Sequence, residues 1–366
     1  MKRIVIKIGS RVLTRENGRL DERVIANLTD EVSKARKKGI EAILVTSGAV
    51  SVGHSVMKND GALGETAKEQ VASAVGQPKL MSAYIREFEK RGLTCAQILA
   101  TRPDFAKRES YLSLRTVTEN LLSADIAPIF NENDVLFPEE LDFSDNDQLA
   151  VLVAAMTVAD KLIILSSVDG LYENFSAGAS RMKIVGRIED AGKFMKHADD
   201  SKLAGKGGMK SKLAAASLAT SLGIDVHIGN GKKPGVVEKI IAGEKIGTYF
   251  PARKKKTKAL KSWLAAGAAA KGRIAVSTCL AEILRNKKTA SVLFIGIERI
   301  EGDFSEKDIV EIGDEGGNIF GRGVSRYDSQ KLRQAVENFK KMPVKQKSKL
   351  KASEMIAVHY DYFTYC

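Results

Sequence analysis

The sequence of 366 residues predicts an α/β protein, a mainly parallel sheet sandwiched by helices and followed by a small β-rich domain. Three observations point there. Through the first 250 residues, short apolar runs alternate with stretches of helical periodicity. The apolar runs end in small, polar or charged residues, as strands do when their carboxyl ends border a ligand. After residue 250 the pattern changes to short β-like runs punctuated by glycine, with a marked excess of lysine and arginine.

The elements follow in order. Residues 3–8 are a β-rich apolar run that stops at Gly9. Helical periodicity covers 21–38, with Ile25, Leu28, Val32 and Ala35 on one face and Gly39 ending it. A second strand at 40–46 runs into Thr46-Ser47-Gly48. The cycle continues with a helix through about Arg91, a strand at 93–99, a helix at 109–123, a strand at 126–130, a helix at 147–159 and a strand at 161–166. A helix at 208–222 leads into a strand at 224–229. Strand–helix alternation of this kind specifies parallel pairing, because each helix carries the chain back to the same end of the sheet. Residues 251–262, basic and weakly apolar, begin a connection. Short β-like runs then fall at 273–276, 291–295, 309–312 and 318–320. The expected division is a first domain at 1–250, a linker at 251–270, a β-rich domain at 271–342 and a basic tail at 343–366, Lys-rich over 343–353.

Composition narrows the class. No apolar run approaches the roughly 18 residues that span a bilayer. The N-terminal apolar stretch is interrupted by Lys7, as a strand is and a signal peptide is not. A cytoplasmic protein without a membrane partner is expected. Three cysteines and four histidines are scattered, with no CxxC pair, so neither a zinc ribbon nor a disulfide framework is expected, and no protein-built metal site. Net charge is +13; residues 251–366 hold 23 Lys and Arg against 13 Asp and Glu. That excess suits nucleic acid or a solubilising surface, and charge alone favours the surface.

Several enzyme classes are excluded by missing motifs. The sequence has no GxxxxGK[ST], no HRD or DFG, and no GxGxxG after the first strand. It does have Gly205-Lys206-Gly207-Gly208-Met209-Lys210-Ser211-Lys212 opening an Ala-rich helix. Glycines let backbone N–H groups approach phosphate oxygens, and a helix N-terminus adds partial positive charge. Lys212, one turn in, can reach a transferring phosphoryl group; a basic loop before a surface helix reads equally well. Lys7 sits near the end of an apolar first strand, where an uncompensated ammonium is costly. Followed by Gly9, it can meet a polyphosphate; the alternative is an edge lysine snorkelling to water. In a central parallel strand the functional reading is favoured. Asp145-Asn146-Asp147 stands at the mouth of the 147–159 helix, where one such residue serves as a cap. With Asn133 and Asp134 at another strand end, the group can bind an ammonium and orient lysines. Ser47 and Gly48 can offer hydroxyl and backbone donors to a carboxylate.

Taken together, VIKIGS, VTSGAVSVG, NENDV, SDNDQLA, VDGLY and GKGGMKSKL, in this order, resemble the glutamate-phosphorylating members of the amino-acid kinase family. Ala74-Val75-Gly76-Gln77 and Leu99-Ala100-Thr101-Arg102 add to the likeness, which covers essentially all of 1–250. Residues 271–336, with Gly302-Asp303-Phe304 and Gly321-Arg322-Gly323-Val324-Ser325-Arg326-Tyr327, resemble the pseudouridine synthase and archaeosine transglycosylase (PUA) domain. The resemblance implies ATP with Mg²⁺ and L-glutamate as substrates, γ-glutamyl phosphate as product and proline biosynthesis as setting. It further implies a γ-glutamyl phosphate reductase downstream, proline as feedback inhibitor and a homo-oligomer. Lys7 and Lys212 would flank the γ-phosphoryl group and Asp147 would organise them. Ser47, Gly48, Asp134 and Asn146 would hold glutamate. Lys7, Gly9, Ser166, Ser167 and Lys206, Gly207, Gly208, Met209, Lys210, Ser211, Lys212 would hold ATP. Two departures stand out: the family commonly has Thr-Asp where Ser166-Ser167 stands, and Thr where Lys206 stands. A carboxylate acceptor is already ionised at neutral pH, so no general base is needed. Kinases for aspartate or N-acetylglutamate, and an RNA-binding protein acting through the basic domain, are the competing readings. No RNP-type stacking motif supports RNA.

Overall fold

The computed structural model describes residues 1–57, 63–136, 146–172, 186–189, 208–253, 270–286, 290–347, 350 and 355–365. The chain divides into two compact units, one of residues 1–105 and 109–257, the other of 258–366 with 106–108.

The first unit runs β1 (Arg3–Ile8), α1 (Ser10–Leu13), α2 (Glu22–Lys37), β2 (Glu41–Val45), α3 (Ala49–Val56), α4 (Glu65–Glu89), β3 (Cys95–Ala100), α5 (Arg102–Ala106), α6 (Arg108–Ser123), β4 (Ala127–Glu132), α7 (Asn146–Met156), β5 (Lys161–Ser166), α8 (Met209–Ser221), β6 (Asp225–Asn230), α9 (Val236–Ala242) and β7 (Thr248–Phe250). The seven strands form one sheet in the order β3-β4-β2-β1-β5-β6-β7, parallel but for β7. The expected parallel α/β sheet is therefore the observed one, with an added antiparallel edge.

β1 is the middle strand. Its period-2 alternation sends Ile4, Ile6 and Ile8 into a core shared with α1, α2, α4 and α9. Val5 and Lys7 face the other way, toward α7. Pairing aligns the carboxyl ends: Lys7 lies opposite Val45 of β2 and Ile164 of β5, and Leu165 lies opposite Gly229 of β6. Polar residues just past these positions thus meet at one edge of the sheet.

Two contacts brace that edge. α3 and α4 cross backbone to backbone, since a Cβ on Gly53 would collide with the Ala72 carbonyl and one on Gly76 with the Ala49 carbonyl. The buried Glu31 carboxylate of α2 accepts the N–H groups of Gly235, Val237 and Glu238 at 2.9, 2.7 and 3.2 Å, which pins the start of α9.

The second unit contains β8 (Gly272–Val276), α10 (Thr278–Asn286), β9 (Val292–Leu293), β10 (Ile297–Glu301), β11 (Ile309–Asp314), β12 (Ile319–Val324), α11 (Ser329–Lys341), α12 (Val344–Lys347), β13 (Ile356–Val358) and β14 (Phe363–Tyr365). Its five-stranded sheet has the order β10-β8-β11-β12-β14, and β13 pairs with β9. Residues 356–358 and 363–365, expected within a basic tail, are strands. Their buried Ile356, Ala357, Val358 and Phe363 belong to the core of this unit, and the lysines before them hide that signal in the sequence. Of the linker expected at 251–270, residues 254–269 lie outside the described residues. Among the described residues, no helix is long and apolar enough to cross a membrane.

At the far side of the first sheet, His227 on β6 stacks on Tyr249 of β7 with ring centroids 4.6 Å apart. Burial, with nearby Lys161, pushes the imidazole down to about 4, against the opposing pull of Asp225. The unfolded chain protonates this histidine near 6.5 and the native chain only near 4, so the unfolded state binds more protons between those values. Stability should fall by about 2 kcal/mol from pH 7 to pH 5 on this account. His227→Phe, which keeps the stacked ring, should flatten that slope in urea unfolding at the two pH values; an unchanged slope would contradict it.

Candidate active site

α7 is apolar all round (Leu149 through Met156 are buried), and its single charge, Asp147, has no exposed surface at all. A buried carboxylate persists only with partners. Asp147 has them from two directions. Its Oδ1 lies 2.6 Å from Lys7 Nζ of β1, and its Oδ2 accepts from Lys212 Nζ of α8 at 3.0 Å. Lys7 and Lys212 are themselves buried, at 2 % and 8 % exposure. One carboxylate thus fixes two ammonium groups that are 205 positions apart in the chain. Two cations sharing one anion at the ends of parallel strands suit an anionic phosphoryl group, whose spread charge is stabilised by fixed donors.

Next to Asp147, Asn146 organises a polar network. Its Nδ2 donates to the Thr46 carbonyl at 2.7 Å, to Ser47 Oγ at 2.9 Å and to Asn131 Oδ1 at 2.9 Å. Asn131 Nδ2 donates to Gln77 Oε1 at 2.7 Å. Thr46 Oγ1 and the buried Tyr84 hydroxyl are 3.0 Å apart, tying the end of β2 to α4. Burial pushes the Tyr84 phenol well above its ordinary range. Gly48 begins α3 with φ of 98°, a left-handed conformation that suits glycine and turns the chain straight from β2 into the helix. Asp134 accepts from Ser73 Oγ at 3.3 Å and borders a cavity of about 300 Å³ shared with Gln77, Gln97 and Asn133.

The sequence-expected residues therefore gather in two groups. Lys7, Asp147 and Lys212 meet directly. Ser47, Gly48 and Asn146 meet beside them, with Asp134 at the neighbouring cavity. The strand ends expected to face nucleotide are adjacent in the sheet: Ser166 ends β5 and lies opposite Asn230. Gly208 caps α8, Met209 and Lys210 follow, and the buried Ser211 Oγ has no hydrogen-bond partner among the described residues. Gly9 donates its N–H to the Leu165 carbonyl at 3.1 Å, so that amide is already committed within the sheet. What Gly9 offers is a position without a side chain. Ser167 lies two residues before Asp169, which accepts from Asn230 and Lys233 at 2.9 and 2.7 Å, and these partners hold its carboxyl below the usual range. Lys206 and Gly207, and also Asp145, fall outside the described residues.

Sequence reasoning places Thr46 and Asn131 at strand ends bordering the site without assigning them a role, and does not single out Gln77 or Tyr84 for it. A signal existed. Ser73 and Gln77 recur at i, i+4 spacing on the buried face of α4, where polar residues require partners. Among the described residues, no group of three or more His, Cys, Asp or Glu side chains could hold a metal.

A buried carboxylate shared by two lysines makes a sharp energetic prediction. Removing the acid alone leaves two buried cations, so Asp147→Leu should cost about 3–5 kcal/mol in urea unfolding. Replacing all three groups together (Lys7→Met, Asp147→Leu, Lys212→Met) should restore stability to within about 1 kcal/mol of the parent or exceed it. A triple variant as unstable as Asp147→Leu would contradict a cluster kept for function at the expense of stability.

Comparison with known proteins gives the family. The amino acid kinase family matches residues 2–230, and the PUA domain matches residues 272–343. A glutamate 5-kinase of Chlorobaculum tepidum is 39% identical over 92% of this chain and 93% of its own. One of Bacteroides thetaiotaomicron is 36% identical over 98% and 97%. Among solved structures, a UMP kinase from Bacillus anthracis superposes with a TM-score of 0.50 over 69% of this chain and 97% of that one, at 13% identity, a likeness of fold alone. The chain belongs to the amino acid kinase family, with glutamate 5-kinases as relatives over nearly its whole length.

Proposed function

We propose that this chain transfers the γ-phosphoryl group of ATP to the γ-carboxylate of L-glutamate, giving γ-glutamyl phosphate and ADP. The observation that carries this reading is the Lys7–Asp147–Lys212 cluster set beside the Asn146 network. Full-length relatives named as glutamate 5-kinases support the choice of acid.

In this reading a γ-carboxylate oxygen attacks the γ-phosphorus, and the bond to the bridging oxygen breaks as ADP leaves. The nucleophile is ionised at neutral pH and needs no proton removed. The chain's task is alignment and charge stabilisation. Lys7 and Lys212 lie on either side of the transferring group, held apart and aimed by Asp147. The N-terminal turn of α8, with Gly208, Met209, Lys210 and Ser211, faces the phosphates. Ser166 and Ser167 lie toward the nucleoside. Mg²⁺ arrives on ATP as part of the substrate and neutralises phosphate charge. Ser47 and the Gly48 turn meet the α-carboxylate, while Asn146 and Asp134 accept from the ammonium.

The product is a reactive acyl phosphate, so a reductase that consumes it is the natural next enzyme on a route to proline. Proline is the expected inhibitor, at or near the glutamate site, and a cytoplasmic homo-oligomer the expected state. The direct test is a hydroxylamine trap. With MgATP, the purified chain should form acyl hydroxamate from L-glutamate and not from L-aspartate or N-acetyl-L-glutamate. Hydroxamate from either of the others at comparable rate would reassign the acid; none from glutamate would refute the reading.

A further inference from the structure

Asn146 carries a buried oxygen, Oδ1, with no hydrogen-bond partner among the described residues, and Gln77 carries a buried Nε2 in the same condition. The two amides are the ends of one chain, Gln77–Asn131–Asn146. The polarity of that chain is set by chemistry. The Thr46 carbonyl can only accept, so the Asn146 atom 2.7 Å from it is the amide nitrogen. The Asn131 atom 2.9 Å from that nitrogen must then accept, so it is Oδ1. This turns Asn131 Nδ2 to Gln77, whose atom 2.7 Å away is the acceptor Oε1. Asn146 is left presenting an oxygen and no donor. A buried acceptor without a donor is costly, so a site so arranged rewards a ligand that brings one.

We infer that Gln77 is a positioning and specificity-determining residue: it holds Asn131 with its oxygen toward Asn146, so that, together with the Thr46 carbonyl, the amide of Asn146 keeps its place with its oxygen free, selecting an acid that carries an ammonium. This rests on the proposed glutamate reading and adds a residue to it. Gln77 lies on α4, fifty-four positions before Asn131, and reaches Asn146 only through it. Without the Gln77 acceptor, Asn131 can turn over and present its nitrogen to Asn146. Two nitrogens then face one another; the Thr46 carbonyl still holds the Asn146 nitrogen, so the repulsion displaces Asn146 instead of turning it over, and its free oxygen moves off the ammonium.

The test uses Gln77→Met, which keeps length and removes the acceptor. The KM for glutamate should rise about ten-fold, with kcat and the KM for ATP within about two-fold. Inhibition by glutarate, which lacks the ammonium, should be unchanged. In an Asn131→Asp background, a carboxylate accepts from Asn146 whichever way it turns, so Gln77→Met should there have no further effect on glutamate KM. The relay is overturned by a glutamate KM within two-fold of wild type in Gln77→Met, by a parallel weakening of glutarate, or by an equal Gln77→Met effect in both backgrounds. Should Gln77→Met fail to fold, Gln77→Leu carries the same expectations. A wild-type chain that makes no acyl phosphate from glutamate refutes the underlying function; an active wild type with a neutral Gln77→Met refutes the relay alone.

Discussion

Everything at the candidate site depends on one carboxylate. Asp147 is wholly buried, and the ion pairs it makes are with lysines from a central strand and from a helix two hundred residues later. Such a cluster is a poor way to stabilise a fold, because desolvating three charges offsets much of their attraction. It is a good way to hold two ammonium groups at fixed separation without water between them and an incoming anion. That geometry requires β1 in the middle of the sheet, an apolar α7 laid across it, and α8 beginning within reach of α7.

The same sheet edge supplies a second layer of order. Just past β2, Thr46 donates its N–H to the Phe130 carbonyl at 2.8 Å, bringing β2 level with the end of β4. Ser47, Asn131 and Asn146 then meet although they come from two strand ends and a helix start. The close crossing of α3 and α4, possible because Gly53 and Gly76 lack side chains, lets Gln77 and Tyr84 reach the same place. The cations proposed to face phosphate and the amides proposed to face substrate are therefore neighbours through consecutive residues, Asn146 and Asp147. A change in the tilt of α7 would move both at once.

Much of this was legible in the sequence, and the reasons are local. Lys7 is a charge at the end of an apolar run, so it announces a partner. Asp147 is the one acid opening an apolar helix, and Lys212 follows a glycine-rich turn. Parallel pairing follows from the alternation of strand and helix. The less legible features are those settled by distant pairing. Gln77 reads as an ordinary polar residue of a long helix until α4 is laid over the end of β4. Gly9 reads as a residue that would help hold ATP, and only the pairing with β5 shows that its N–H is taken by the Leu165 carbonyl. β13 and β14 are short, sit behind lysines, and gain their meaning from β9 and β12.

The central claim is that Lys7 and Lys212 act on the transferring phosphoryl group and are held for that purpose by Asp147. The most direct measurement is the single-turnover rate of acyl phosphate formation in Lys7→Met and Lys212→Met, with ATP and glutamate both saturating. Loss of a donor that acts in the transition state should lower that rate at least about 100-fold in each variant. Glutamate affinity should stay within a few-fold of wild type. A rate near that of the wild type in either folded variant would contradict the account.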